Sequence, residues 1–446
     1  MGLRISPRLA LVTVSTTTFS QHVGNSYLQL LHLLLLHRSL CSASCLHANV
    51  IDPSKSAQTS LEILDTNTDA GFMPGWLMDG GDKIYSISRT HFPTNASASG
   101  GVFSFQKHRA QYGEGGLPGV YRLELLSNVT SGGLGAVYCD VSRDGRTVGV
   151  ANIDGSTVSV HPLSKKGIIG EASYLFKYNL SHPGPGTNGS QIQSNPHEAI
   201  FDPSGQYMFV NDRGADLIYV YHVDGPDNVT RISTVVMPPG TGPRHTTFRV
   251  FNSTRTFMYL VSELDNTVRV FTLDGVFNNR DREPTAHQAS LNIMLRQTAS
   301  TLAPGSSRTS PNDTFLASEV ALSNDGKFAY VSNRATKTLT SDTLAIYSVH
   351  PNIGNDSAHL VYLGQNNTYG KIPRHFSVSP DAETRYVAVA NEVSQNLVIL
   401  ERDPATGFMT GIKGNISFGT FDVTQNLGPA AVIWDRGYDC ESEWAG

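Results

Sequence analysis

Pro196-His197-Glu198-Ala199-Ile200-Phe201, the turn Asp202-Pro203-Ser204-Gly205, and Tyr207-Met208-Phe209-Val210-Asn211 together spell one antiparallel hairpin. Apolar and aromatic side chains line both arms, and Pro and Gly mark the reversal between them. The same unit recurs around Ser142-Arg143-Asp144-Gly145, Asn252-Ser253-Thr254, Ser323-Asn324-Asp325-Gly326 and Ser379-Pro380-Asp381-Ala382, with a degraded earlier copy through Met78-Asp79-Gly80-Gly81. A third strand often follows, as in Thr157-Val158-Ser159-Val160. Short antiparallel meanders repeated in this way predict an all-β protein, a β-propeller.

The readable units run over about 71–107, 133–163, 195–223, 242–273, 317–349 and 372–402. A seventh would join Ala430-Ala431-Val432-Ile433-Trp434 to strands from before residue 71, although 46–70 offers no convincing strand pair. Closing the ring with both ends of the chain leaves no free sheet edge to invite aggregation. Gly 41 and Pro 22 suit a turn-rich protein, and no long amphipathic helical segment is evident. The polar connection from about 274 to 316 reads as an exposed loop. The expected organisation is one propeller domain over 46–446, preceded by residues 1–45 as a signal peptide or disordered extension.

That leader reading rests on Tyr27 to Leu36, a short apolar run followed by Arg38 and Cys41-Ser42-Ala43-Ser44. The run is too short to span a bilayer, so no stable membrane span is expected, but it fits the apolar region of a signal peptide. Asn-x-Ser/Thr sequons occur at Asn95, Asn128, Asn179, Asn188, Asn228, Asn252, Asn312, Asn355, Asn366 and Asn415, mostly in polar connections. Together these features predict a secreted or cell-surface glycoprotein, with a cytoplasmic one as the alternative if the segment is not a signal. The net charge of -5, with Lys and Arg scattered, argues against nucleic acid as partner. Four cysteines are too few for a disulfide framework. Cys139 and Cys440 form either one bridge or two separate thiols, Cys139 reading as a small core residue. No Cys/His spacing resembles a metal site.

Strand direction carries the argument from repeats to chemistry. The first residue of strand one and the last residue of strand two end at the same rim, opposite the turns. Those positions hold His197 with Asn211 to Arg213, Arg244 and His245 with Glu263, Glu319 with Asn333 and Arg334, Arg374 and His375 with Asn391 and Glu392, and Tyr138 with Asn152. Strands that are otherwise apolar thus begin and end on polar groups around one mouth, the natural ligand cleft of the fold. Each group also has a plain structural reading. Arg374 and Arg244 can cap neighbouring blades, Glu263 can pair between blades, His197 can be a buried channel residue and Arg334 can be solvated. The recurring asparagines read as turn-holding groups.

The segments Asn195-Pro196-His197, Gly242-Pro243-Arg244-His245, Ser262-Glu263-Leu264-Asp265-Asn266, Ser332-Asn333-Arg334 and Ile372-Pro373-Arg374-His375-Phe376 resemble the lactonase family of seven-bladed propellers, which includes carboxymuconate cyclase and a 6-phosphogluconolactonase. The resemblance covers about residues 71–434. It implies a seven-bladed β-propeller of four-stranded antiparallel blades. It also implies a catalytic set of His197, Arg244, Glu263 and Arg334, with His245, Glu319, Arg374 and His375 as substrate-binding support. The chain departs from the family at Tyr138, where a His is common.

Two arginines, Arg244 and Arg334, can clamp a carboxylate or phosphate and stabilise an oxyanion as a lactone carbonyl is attacked. His197 or Glu263 would do the acid-base work, for ring opening by water or for ring closure by a muconate carboxylate. No metal or organic cofactor is needed for either. The expected partner is a small acidic lactone or muconate-like molecule; oligomeric state is not legible. The competing reading is a non-catalytic secreted propeller that binds a carbohydrate, a small anion or a protein through the same mouth. An interaction scaffold built on recurrent Trp-Asp and Gly-His signatures is disfavoured by their absence.

Overall fold

A computed structural model describes residues 9–18, 42–111, 118–186, 189–274, 291–306, 309–310, 313–335, 341–351, 358–419 and 428–436. Among the described residues the first strands are β1 (Leu9–Thr18), β2 (Ser42–Ile51) and β3 (Leu61–Asn67). Blade-forming strands then follow in sequence. They are β4 (Phe72–Asp79), β5 (Lys83–Thr90), β6 (Gly101–Gln111) and β7 (Pro118–Thr130), followed by β8 (Ala136–Val141), β9 (Thr147–Asn152), β10 (Thr157–Pro162) and β11 (Tyr174–Lys177). Next come β12 (Pro196–Phe201), β13 (Tyr207–Asp212), β14 (Leu217–Val223) and β15 (Val229–Val236), then β16 (Pro243–Asn252), β17 (Arg255–Ser262), β18 (Thr267–Asp274) and β19 (Asn292–Ser300). The short β20 (Thr309–Ser310) precedes β21 (Asp313–Leu322), β22 (Phe328–Ala335), β23 (Thr343–Val349) and β24 (Leu360–Asn367). β25 (Pro373–Val378), β26 (Tyr386–Asn391), β27 (Asn396–Arg402), β28 (Met409–Ser417) and β29 (Pro429–Trp434) complete the strands of the described residues.

These strands form seven antiparallel sheets of four, with β20 added at the edge of one. The seven-bladed propeller expected from the sequence is the observed fold. The seventh sheet has the order β29-β1-β2-β3, so its innermost strand comes from the C-terminal end and the rest from the N-terminal end.

That sheet corrects the expected boundary at residue 45, which falls inside β2, and β1 lies wholly within the segment expected to be a leader or disordered extension. Leu11, Val12, Val14 and Leu46 are fully buried in it, as is Cys45 almost completely. The reason is ring closure: β29 alone would leave its outer backbone groups unpaired, and β1 pairs with it from Leu11↔Trp434 onward. The apolar run Tyr27–Leu36 lies outside the described residues. The 274–316 connection is also not all loop, since it contains β19. Cys139 is a free, fully buried thiol on β8, and Cys440 lies outside the described residues.

Apolar side chains fill the seams between blades. One seam packs Val12 and Leu46 against Ile84, Phe103 and Phe105; another packs Phe209 and Ile218 against Met258, Leu260 and Phe271. Each such buried side chain contributes roughly 1.5–3 kcal/mol. A ring of wedges held this way is stiff, which lets the channel end carry buried charge.

One backbone feature recurs in all seven sheets. Near the start of each innermost strand, one extra residue enters against its neighbour. The register shifts at Pro74/Leu77, Ala136/Tyr138, Pro196/Glu198, Pro243/His245, Ala317/Val320 and Pro373/His375, and opposite Val14/Ser15 for β29. Bulges bend a strand and re-aim side chains, and they concentrate beside active sites. Here they break the in–out alternation, so consecutive residues such as Arg244 and His245 are both buried beside the channel.

Candidate functional site

At the end of the channel where the innermost strands start, side chains from six blades meet. Gly242 introduces β16 with φ +62°, a left-handed conformation that suits a residue without Cβ. A Cβ there would stand 2.5 Å from Cγ of Leu264, so the turn delivering Pro243-Arg244-His245 requires glycine.

Glu263 follows β17 and collects three guanidinium groups. Nε of Arg213 lies 2.9 Å from its Oε1, and Nε of Arg244 and Nη2 of Arg334 lie 3.1 and 3.0 Å from its Oε2. Burial pushes the Glu263 carboxyl up, but Arg213, Arg334 and Arg244 outweigh burial and hold it well below the usual carboxylate range. Three cations on one anion leave this rim with a surplus of positive charge. Arg374, 3.6 Å from Glu392, lies at the same end.

The arginines are not equivalent. Arg244 keeps only 1% of its side chain exposed and donates from Nη1 to the Ser318 carbonyl at 2.7 Å. Arg334 keeps 12%, donating also to the carbonyls of Leu316 and Ala317. Of the two expected to clamp an anion, Arg334 is the one solvent reaches, together with Arg213, while Arg244 buttresses Glu263 from beneath.

His197 and His245 lie edge to face, with Nδ1 of His197 3.1 Å from Nε2 of His245. Burial and the Arg244 charge lower both rings well below the ordinary histidine range, so both are neutral at pH 7. Nδ1 of His245 is 2.7 Å from Oε2 of Glu319, whose Oε1 accepts the Val320 N–H at 3.1 Å. Burial pushes the Glu319 carboxyl up to about 8. His375 stands 3.8 Å from the same Oε2, its Nδ1 accepting the Val432 N–H, and burial lowers it to about 3.

Two residues of this layer escaped the sequence reading. Glu198 is almost fully buried, accepting from Asn211 Nδ2 at 2.6 Å and from the Thr246 N–H at 3.1 Å, and burial pushes its carboxyl well up. Alternation assigns it to the face opposite His197, and the bulge at Pro196/Glu198 is what a strand template misses. Trp76 packs on Tyr138 with the rings tilted at 31° and 4.3 Å apart, and meets His245 and His375 edge-on at 5.0 and 4.9 Å. It lies within the bulge at the start of the degraded first repeat, where no rim position could be read. Asn391 donates to the Thr368 carbonyl, a side-chain to backbone bond, whereas Asn211 donates to the side chains of Glu198 and Thr246 and so ties neighbouring blades rather than a turn.

A cavity of about 550 Å³ lies beyond this layer toward the hairpin turns. Trp76, Tyr138, Glu198, Glu319 and His375 line one end, and Asn324 and Gly326 the other; His197, Arg244, Glu263 and Arg334 do not line it. The arginine–glutamate cluster and the cavity therefore occupy opposite sides of one polar layer.

Residues 51–421 match the sequence profile described as "Lactonase, 7-bladed beta-propeller". The chain belongs to the lactonase family of seven-bladed β-propellers. Among lactonase-family relatives, it is 25% identical over 364 residues to a 6-phosphogluconolactonase of Formosa agariphila, covering 79% of this chain and 91% of that protein. It is 26% identical over 335 residues to the 6-phosphogluconolactonase of Bacillus subtilis, covering 75% and 81% respectively. The solved structure of a periplasmic gluconolactonase from Pseudomonas aeruginosa shares its fold, with TM-score 0.68 at 21% identity, over 95% of this chain and 99% of that one. Within this lactonase-family chain, Tyr138 stands at the start of the innermost strand of its blade. It is buried against Trp76, and burial raises its hydroxyl well above the usual range.

Proposed function

We propose that this lactonase-family protein hydrolyses a lactone bearing a carboxylate or phosphate, a sugar-acid lactone being the best fit, at the arginine-lined end of its channel. The observation that carries this reading is the meeting of Arg213, Arg244 and Arg334 on Glu263, 3.1 Å or less from its oxygens, in a cluster that also holds neutral His197. Arg334 and Arg213 supply charge-assisted, fork-shaped donors to the substrate anion and to the oxyanion that forms as water attacks the carbonyl. Arg244 fixes Glu263 between them. Loss of one such donor typically costs roughly 3 kcal/mol of transition-state stabilisation. Glu263, held as a carboxylate by three cations, is a weak base, which leaves the acid-base work to His197. Relatives named 6-phosphogluconolactonase favour ring opening over the muconate ring closure that the same groups could serve.

The test is a turnover screen of the purified protein against 6-phosphogluconolactone, other aldonolactones and carboxymuconate, with His197→Ala and Arg334→Ala as controls. Turnover of an anionic lactone that both variants lose supports the proposal. Binding of these compounds without turnover by wild type would replace it with a non-catalytic carbohydrate- or anion-binding propeller.

Export is part of the same proposal. Of the sequons among the described residues, Asn95, Asn128, Asn179, Asn228, Asn252 and Asn415 are exposed, and Asn366 is half-buried, bonded to Met409. Mobility shifts on glycosidase treatment of protein recovered from the medium would support it; unglycosylated protein retained in the cell would refute it.

A further inference from the structure

Equivalent backbone positions give the channel one side chain per blade. Two residues beyond the last ladder pair before each bulge stand Trp76, Tyr138, Glu198, His245, Glu319 and His375, on β4, β8, β12, β16, β21 and β25. On β29 the same position is Ala431. Because the β29 blade packs beside the β4 blade, the largest member of this ring, Trp76, adjoins the smallest. The indole lies across the opening rather than along its wall. Nε1 of Trp76 donates to the Cys139 carbonyl at 3.1 Å, and its ring packs on Tyr138, both residues of the neighbouring β8. It also meets His375 at 89° and His245 at 72°, edge to face. His375 belongs to a blade two places away in the other direction, and His245 to one three places away. In a ring of seven, three places away is the far side of the axis. A side chain rooted on one wall that touches all three spans the channel.

We infer that Trp76 is a partition across the channel, which shuts the turn-side cavity off from the arginine-lined site and holds His245, and through it His197, in place. Its bearing on turnover rests on the proposed lactone hydrolysis; its place in the channel does not. Trp76 acts through His245 rather than on the substrate, which makes it a positioning residue.

The cavity lining shows what the indole separates. Trp76, Tyr138 and His375 line the cavity of about 550 Å³, whereas His245, which Trp76 touches, does not. The indole therefore screens His245 from the cavity. Tyr138 closes on the same imidazole from a second side, 5.4 Å away at 60°. His245 in turn lies within hydrogen-bond distance of His197, Arg244 and Glu319, so a shift of its ring is felt by the whole polar layer. A flat apolar ring suits a partition, because it fills the gap and its single polar group, the Nε1–H, is already bonded. Shortening it would join the cavity to the polar layer and admit water beside rings that burial keeps neutral.

The test has three arms, all on the full-length chain. In the first, wild type labelled in its tryptophan and histidine side chains should show nuclear Overhauser contacts from the Trp76 ring protons to those of both His245 and His375, assigned with His245→Gln and His375→Gln. The lack of either contact overturns the partition, and this arm needs no variant of Trp76 to fold. In the second, hydrogen–deuterium exchange at the histidine C2 position is followed by mass spectrometry in wild type and Trp76→Leu. His245 and His375 should exchange at least about fivefold faster in the variant, while His47, buried on β2 in another blade, stays within about twofold. No acceleration, or an equal one at His47, overturns the partition. In the third, on a turned-over lactone, Trp76→Leu should lower kcat at least about tenfold with KM within about threefold, because the substrate contacts remain while the acid-base group is displaced. Trp76→Phe, which restores a flat ring, should recover at least about threefold of that loss. Wild-type kcat in Trp76→Leu, or no recovery in Trp76→Phe, overturns the positioning role. A wild type that turns over no lactone removes the lactonase reading, and the first two arms still decide the partition.

Discussion

Nη2 of Arg334 stands 3.0 Å from Oε2 of Glu263 while the side chain keeps an open edge to solvent. Arg334→Ala should therefore lower kcat/KM about 10²–10³-fold, as losing a preorganised oxyanion donor does. Arg334→Lys should restore only part of it, because an ammonium cannot present the same planar fork. Steady-state kinetics on an anionic lactone decide the matter; a loss below threefold would place the anion site elsewhere.

Gly242 governs how Arg244 and His245 enter the channel. Gly242→Ala places a Cβ 2.5 Å from Cγ of Leu264 at φ +62°. A destabilisation of about 2 kcal/mol or more in urea unfolding is expected, with lower kcat/KM in the folded protein. Unchanged stability would show that the turn relaxes freely.

Asp435, just past β29, takes Lys107 at 3.1 Å and Arg109 at 2.5 Å, while Lys107 also meets Asp79. Burial raises the Asp435 carboxyl, but Arg109 and Lys107 bring it below its ordinary range. Asp435→Ala leaves two buried cations short of a counter-charge, a change that costs about 3–5 kcal/mol. Equilibrium urea unfolding should show it. A cost under 1 kcal/mol would mean that the latch between the last strand and blade β4–β7 adds little.

His47 on β2 sits between the Ser15 and Thr66 hydroxyls, and burial lowers it to about 4 from an ordinary 6.5. A depressed histidine is neutral in the fold and protonates first in the unfolded chain. The stability it confers is complete above about pH 6.5 and is lost as pH falls toward 4. At pH 5 the loss is about 2 kcal/mol. His47→Gln should flatten the decline in stability between pH 7 and 5 by that amount; an unaltered slope would put the acid sensitivity on the channel histidines instead.

The three inner strands of most blades were readable because both faces are buried and their turns are punctuated by Asp, Pro and Gly. The outermost strands were not. β15 exposes nearly every residue, and β19 mostly so, so neither shows an apolar rhythm, and β19 passed for loop. β3 was lost in a stretch whose burial is mostly partial, with Leu61 alone buried. His197, Arg244, Glu263 and Arg334 were legible because strand direction alone gathers strand starts and ends. Glu198 and Trp76 were not, because strict alternation cannot anticipate an inserted residue. What no pattern could supply was rank: that Arg244 is sealed in beneath Glu263 while Arg334 keeps a face to water is a property of packing.

The sheet that unites β29 with β1 sets a timetable for synthesis. Nearly the whole polypeptide must emerge from the ribosome before Leu11 and Val12 can meet their C-terminal neighbours. Until then β1 offers an apolar, hydrogen-bond-hungry border to any passing chain. In a nascent molecule of this kind the beginning stays unpaired on that border until the end arrives.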